Sequence, residues 1–364
     1  MSSSPPYHGT PKGEKTLSKT QERKKEHLEL CLEDGAVAFP HSTGLDHYTF
    51  VHNALPELDI ADIDLGTTFL QKGLKAPLLI SSMTGGFDLA QKVNRNLAGA
   101  AQHLGLAMGL GSQRVALEEP RAVRSFQVRD VAPDILLLSN LGAVQLNYGY
   151  GIEQCRQAVR MIQADGLVFH LNVLQEAVQP EGNRNFRGLA EKIGEVCAQL
   201  EVPVVAKEVG SGISADVALR LKGAGVRAID VAGSGGTSWY AVEAKRAAQK
   251  GQPTNDTFAT WGIPTDEALV VVRGAVPDLE LVASGGIRSG LDVAKAIALG
   301  ANVVGIGQPL LNPALESSDR VVEFLSRIIR EIKIAMLCVG AANLAALRKA
   351  PLMRRSPYGW QKFK

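Results

Sequence analysis

Eight short apolar runs alternating with helix-forming stretches predict an α/β protein, a (β/α)8 TIM barrel with an N-terminal extension and a C-terminal helix. Three observations carry this reading. Aliphatic and β-branched runs recur between amphipathic segments, an order that yields parallel strands joined by right-handed crossovers. There are eight of them, the number that closes such a sheet on itself. Each run also ends in glycine or small polar residues. An open doubly wound sheet is the competing arrangement, but no GxGxxG turn follows the first run and the glycine-rich turns come late.

Residues 1–20 are polar and rich in serine and proline, with few large apolar groups, and are expected to form a disordered tail. Residues 21–75 make an N-terminal segment. Within it TQERKKEHLELCLE (20–33) has helical spacing, with Leu28, Cys31 and Leu32 as an apolar stripe and Arg23, Lys24 and Lys25 as a basic cluster one turn earlier. Residues 40–75 read as irregular, with short strands and turns. The barrel is expected over 76–350. Its first four runs are PLLISSM (77–83), LAMGLGS (106–112), ILLLSNLG (135–142) and GLVFHLN (166–172). The last four are VPVVAKEVG (202–210), RAIDVAGSGG (227–236), ELVASGG (280–286) and VVGIG (303–307). Helical patterns such as GIEQCRQAVRMIQA, GISADVALRLKGAG and SGLDVAKAIALGA fill the gaps. Two connections are long, QEAVQPEGNRNFRG after the fourth run and Thr237 to Pro264 after the sixth; such segments at a barrel's catalytic face cover ligands. Residues 351–364 read as a C-terminal tail.

The charge is balanced, 39 Lys+Arg against 37 Asp+Glu for a net +2, so no global basic field points to nucleic acid or to a membrane surface. The 37 glycines and 5% aromatic content suit a loop-rich α/β enzyme. The longest apolar stretch, Ile334 to Leu347, is interrupted by Gly340 and Asn343 and falls short of the ~20 residues a membrane span needs. The N-terminus lacks the apolar core of a secretory signal, and a cytoplasmic protein is expected. Cys31, Cys155, Cys197 and Cys338 are scattered without a CxxC pair, and are expected to be buried reduced thiols rather than zinc ligands or disulfides.

In a barrel the strand C-termini converge on one face. Here they would bring together Ser82-Met83-Thr84, Ser112-Gln113-Arg114, Asn140, and His170 with Asn172. Gln175 and Glu176 lie just beyond. The later strands end in Lys207, in Gly233 to Thr237, in Ser284 to Arg288, and in Gly305 to Gln308. Glycine pairs after the last three strands let backbone N–H groups approach a phosphate, and the following helix start adds its dipole. Lys207 follows Val204, Val205 and Ala206, so an ammonium aimed into the barrel mouth needs an anionic or electron-rich partner. Asn140, Ser112 and Thr84 suit the edge of a planar heterocycle. His170 and Asn172, two apart on one strand, share a face and with Gln175 and Glu176 form a polar wall. Arg23, Lys24 and Arg114 can hold an anion. No Ser-His-Asp order, P-loop, HExxH or close carboxylate pair is visible, and no strand ends in a cysteine nucleophile.

SSMTGG (81–86), GSQR (111–114), HLNVLQE (170–176), GGTSW (235–239) and SGGIRSGLDVAKAIALGA (284–301), with RKKEHLELCLE (23–33), resemble the type 2 isopentenyl-diphosphate isomerases. The resemblance runs from about Glu22 to the region of Gly340; SGGIRSG is shared with other FMN barrels. It implies an FMN-dependent isomerase of isoprenoid biosynthesis that interconverts isopentenyl and dimethylallyl diphosphate, with Mg2+ and with NADPH as reductant. Carried over by motif, Ser82, Met83, Thr84, Ser112, Asn140, Lys207, Thr237, Gly286, Ile287, Arg288, Gly307 and Gln308 would contact FMN. Arg23, Lys24, Ser112, Gln113, Arg114 and Gln175 would bind substrate. Gln175, His170 and Asn172 would be the catalytic side chains, and Glu176 the metal ligand. A homo-oligomer, tetramer or octamer, is implied as well. Two positions depart from the family pattern: Ala232 stands where many relatives carry serine, and Gly307 where alanine is common.

Moving a double bond without net redox change needs a proton added at one carbon and removed at another. No side chain in this inventory is a strong acid, which leaves reduced FMN as the acid/base with Gln175 beside it. The alternative is an FMN-dependent oxidoreductase. A 2-hydroxy-acid oxidase would want a His base and an Arg pair near the sixth and seventh strands, where this chain has Trp239 and no histidine after His170. A nucleotide dehydrogenase would want a strand-end cysteine.

Overall fold

In the computed structural model, which describes residues 18–33, 35, 37–356 and 359–363, the eight expected runs form eight parallel strands. They are β1 (Leu78–Ile80), β2 (Ala107–Gly109), β3 (Leu137–Gly142), β4 (Gly166–Leu171), β5 (Val204–Glu208), β6 (Ala228–Asp230), β7 (Glu280–Ala283) and β8 (Val303–Ile306). They pair in chain order, and β8 returns to β1 through Gly305 opposite Leu79, so the sheet is a closed barrel and not an open one. The strands read as continuous apolar runs because both faces are covered. Alternate residues split between two cores: Leu79, Leu138, Val168, Val205 and Val282 pack inside the barrel, while Leu78, Leu137, Leu167, Val204 and Leu281 pack against the helical ring.

The barrel's lower end is stoppered by a hairpin of Thr67–Phe69 and Lys72–Leu74. Leu70 and Gln71 take positive φ, +47° and +66°, to make its two-residue turn, and Phe69 is fully buried among the interior residues. Lys72 fastens it by an ion pair to Asp165 at 3.2 Å.

Of the expected tail at 1–20, residues 1–17 lie outside the described residues. Ser18 caps and Lys19 begins the N-terminal helix, Lys19–Leu32; Ser18 and Gln21 exchange the two bonds of a capping box. The expected tail at 351–364 is corrected. Leu352–Ser356 pairs antiparallel with Tyr48–Phe50 and with Gly359–Lys362, because Leu352 is buried and Phe363 packs edge-on against Tyr48 at 5.2 Å. The connection after β6 is also corrected. Trp239–Gln249 within it is a helix, with Ser238 as its N-cap, and Val173–Val178 in the connection after β4 is a short helix. All four cysteines are free, but Cys197 and Cys338 are partly exposed rather than buried. The C-terminal helix is Ser318–Leu337. Among the described residues no helix is long and apolar enough to cross a membrane.

Candidate active site

A deep cavity opens at the C-terminal ends of the strands. Ser82, Met83, Thr84, Ser112, Asn140 and Lys207 line it from the first five strands. Thr237, Gly286, Ile287, Arg288, Gly307 and Gln308 line it from the last three. The barrel thus gathers all twelve positions that the motifs assigned to a flavin.

The turns after β6 and β7 interlock, and this defines what their glycines do. A Cβ on Gly286 would meet Thr43 Cγ2 at 2.3 Å and Gly235 O at 2.7 Å, and one on Gly285 would meet Gly233 O at 2.1 Å. Gly286 also has φ +76°, which disfavours any side chain. The glycines therefore serve turn-to-turn packing as well as close access to the cavity. Thr265 Oγ1 ties the same turns together by donating to Gly285 O at 2.7 Å.

The roof comes from the N-terminal helix. Thr20, Arg23, Lys24, His27, Leu28 and Cys31 face the cavity, a stripe at helical spacing. Lys24 Nζ donates to Ser112 O at 2.6 Å and lies 5.2 Å from the Phe126 ring centre. Burial, with Arg23 and Arg114 nearby, pushes its ammonium down to about 7. Arg23 is lowered as well, first by burial, and keeps Glu181 at 3.8 Å. Gln308 Nε2 donates to Cys31 O at 3.1 Å, joining the end of this helix to the turn after β8.

Beneath the roof His170 Nδ1 lies 2.8 Å from Asn140 Oδ1. An amide oxygen only accepts, so the proton sits on Nδ1. Burial and the nearby Lys207 and Lys24 push His170 down to about 4, which keeps the ring neutral near pH 7. Asn172 Nδ2 donates to Gln175 Oε1 and to Glu176 Oε1, both at 3.1 Å. Glu176 Oε2 accepts from Asn183 N–H at 2.6 Å. Gln175 Nε2 donates to Glu243 Oε1 at 3.2 Å. Among the described residues no group of three or more His, Cys, Asp or Glu is placed to hold a metal.

Arg114 lines the cavity and bonds Glu118 and Asn183. Gln113, assigned to substrate by its motif, is not among the residues lining the cavity. Its side chain is fully buried, donating to Ala158 O at 2.9 Å and accepting from Asn140 N–H at 3.0 Å, so it braces β3 from behind.

Several residues here escaped the sequence reading. His27 Nε2 lies 2.9 Å from Glu243 Oε1, and its ring meets Trp239 edge-on at 5.1 Å. Burial opposes ionisation of Glu243, but His27 and Arg246 hold its carboxyl down at about 2. Arg246 donates to Glu243, Glu26 and Glu181, at 2.6, 2.8 and 3.2 Å, and so clasps the N-terminal helix to the helix after β6. The Gln179 amide spans this cluster, its oxygen 3.1 Å from Arg23 and its nitrogen 3.1 Å from Glu243. The spacing of Trp239, Glu243 and Arg246, four and three apart, places them on one helix face and was the available signal. Their partners across the cavity were not.

A family model described as FMN-dependent dehydrogenase matches residues 170–354. The isopentenyl-diphosphate delta-isomerase of Nostoc sp. (strain PCC 7120 / SAG 25.82 / UTEX 2576) is 51% identical over 339 residues, 93% of this chain and 97% of that protein. The enzyme of that name from Stutzerimonas stutzeri (strain A1501) is 52% identical over 336 residues, 92% of this chain and 97% of its own length. Among solved structures, a mandelate oxidase with (S)-2-phenylpropionate superposes with a TM-score of 0.64 at 19% identity, covering 93% of this chain and 99% of that one. That likeness is one of fold.

Proposed function

The chain belongs to the type 2 isopentenyl-diphosphate isomerase family of FMN barrels, and from that membership we propose that it interconverts isopentenyl and dimethylallyl diphosphate. The observation that carries the reading is the meeting of two anion-binding groups at one cavity. Arg23 and Lys24 descend on it from the N-terminal helix, and the glycine turns after β6, β7 and β8 border it from the barrel.

The residues present fit FMN. Ser81 Oγ and Asn172 Oδ1 are buried without a partner in the cavity wall, Lys207 offers an ammonium, and the glycine turns leave backbone within reach of a phosphate. When bound, the reduced flavin supplies an acid/base centre for proton addition and removal. Arg23, Lys24 and Arg114 hold the diphosphate, with Ser112 beside them. Neutral His170 and Asn172 line the cavity as hydrogen-bonding groups, and Gln175 is held between Asn172 and Glu243. Glu176 would hold Mg2+, which would neutralise charge on the diphosphate. NADPH serves as reductant. Mg2+, NADPH, these roles and a tetrameric or octameric assembly rest on the family resemblance; a cytoplasmic location suits four free cysteines. The oxidoreductase reading is not favoured, since the oxidases share this fold at 19% identity while isomerases match at 51%.

The experiment is an anaerobic one. Protein loaded with FMN and Mg2+ and reduced once should turn over many isopentenyl diphosphate molecules without more reductant, and in D2O should place solvent deuterium in the product. Consumption of one reductant per product would mean hydride transfer and would defeat the proposal.

A further inference from the structure

Asp230 has no part in the reading above. It ends β6, is 1% exposed, and is not among the residues lining the cavity. Opposite it in register on β5 is Lys207, which does line the cavity. Lys207 Nζ stands 3.3 Å from Asp230 Oδ2 and donates to Glu208 O at 2.8 Å. The other carboxylate oxygen, Oδ1, accepts from Ser284 Oγ at the end of β7 at 2.6 Å and from Ala232 N–H at 3.3 Å. One carboxylate thus links the ends of three adjacent strands. Around the pair in the barrel interior lie Phe69, Leu79, Leu138, Val168, Val205 and Val282. An unpaired charge in such surroundings is costly, and screening is weak.

We propose that Asp230 is the positioning residue for Lys207: it aims the ammonium at the cavity and, by neutralising it, limits how strongly the site favours reduced over oxidised flavin. The inference rests on the FMN reading. A lone ammonium at the cavity would favour whichever flavin form carries more negative charge, which is the reduced one. The carboxylate behind it cancels part of that field while keeping the N–H donors in place.

The test is binding, not turnover. Apoprotein of the wild type, Asp230→Asn, Lys207→Gln and the double variant is titrated with oxidised FMN and, anaerobically, with dithionite-reduced FMN. The readout is the ratio of the oxidised to the reduced Kd. Asp230→Asn leaves the cation uncompensated and should raise the ratio about tenfold, equivalent to a two-electron potential about 30 mV more positive. Lys207→Gln leaves the carboxylate alone and should lower it by about as much. The double variant removes both charges and should return to within about threefold of wild type; burying no unpaired charge, it is the variant expected to fold if Asp230→Asn does not. A ratio unchanged in Asp230→Asn, or a double variant that stays at the Lys207→Gln value, overturns the inference alone. Wild-type protein that binds FMN in neither state overturns the FMN reading and this inference together.

Discussion

Both carboxylate oxygens of Glu176 are engaged, one accepting from Asn172 and the other from Asn183 N–H, and among the described residues no group of three or more His, Cys, Asp or Glu forms a metal cluster. Glu176→Gln keeps the shape and removes the charge, so Mg2+ dependence and activity should fall together while flavin absorbance stays intact; unaltered activity across a magnesium titration would take Glu176 out of the site. Lys24 yields a pH prediction. Its ammonium is lowered from 10.5 to about 7, chiefly by burial, so the free protein holds the cation below about pH 7 and loses it above. A diphosphate needs that cation, and the KM for isopentenyl diphosphate should rise as pH increases from 7 to 9. Arginine stays charged throughout, so Lys24→Arg should flatten that rise; the same slope in both proteins would exclude Lys24. At this scale the sequence reading was strongest where a motif carried the residue. At Gln113, a motif member, the side chain turns to Ala158 O, which the motif does not show. A spacing cannot tell which way a residue past a strand end will point.

The N-terminal helix owes its place to partners distant in sequence. Glu26 meets Arg246 at 2.8 Å, and Lys245 lies 3.7 Å from Glu33. Its own residues show an amphipathic stripe, but not what the stripe covers. The glycine turns after β6 and β7 form the other decisive element. Gly286→Ala places a methyl group against Thr43 Cγ2 and Gly235 O in a backbone with φ +76°, a clash with little room for relief. The substitution should cost about 1–3 kcal/mol and weaken FMN binding, read as a lower melting temperature both with and without added FMN. A melting curve equal to wild type would mean that the turns are looser than they stand. The sequence points to these glycines for the approach of backbone to a phosphate, with tight turns as the plainer use. Their mutual packing, Gly233 against Gly285 and Gly235 against Gly286, is a contact between two connections and has no local signature.

For the molecule as a whole, closure of the barrel places eight strand ends around one cavity. The one phosphate-binding region proposed at the late-strand glycines suits a mononucleotide, so denatured protein purified with its flavin should release FMN; mass spectrometry showing FAD would contradict this. Strand number, strand order and the polar character of every strand end were legible in the sequence, because apolar periodicity and parallel connectivity are local and repetitive properties. The twelve positions that the motifs assign to a flavin meet at one cavity, since a barrel brings strand ends together whatever its loops do. Other features depended on distant segments of the chain. Leu352–Ser356 reads as a tail until Tyr48–Phe50 offers it an edge. Glu243, Arg246 and His27 read as ordinary helix residues until two helices meet. Asp230 reads as one more strand residue until Lys207 and Ser284 converge on its carboxylate. Hydrogen bonds and ion pairs act over a few ångströms in space with no regard for separation along the chain, so the backbone pattern determined the barrel, and only its closure decided which charges would meet.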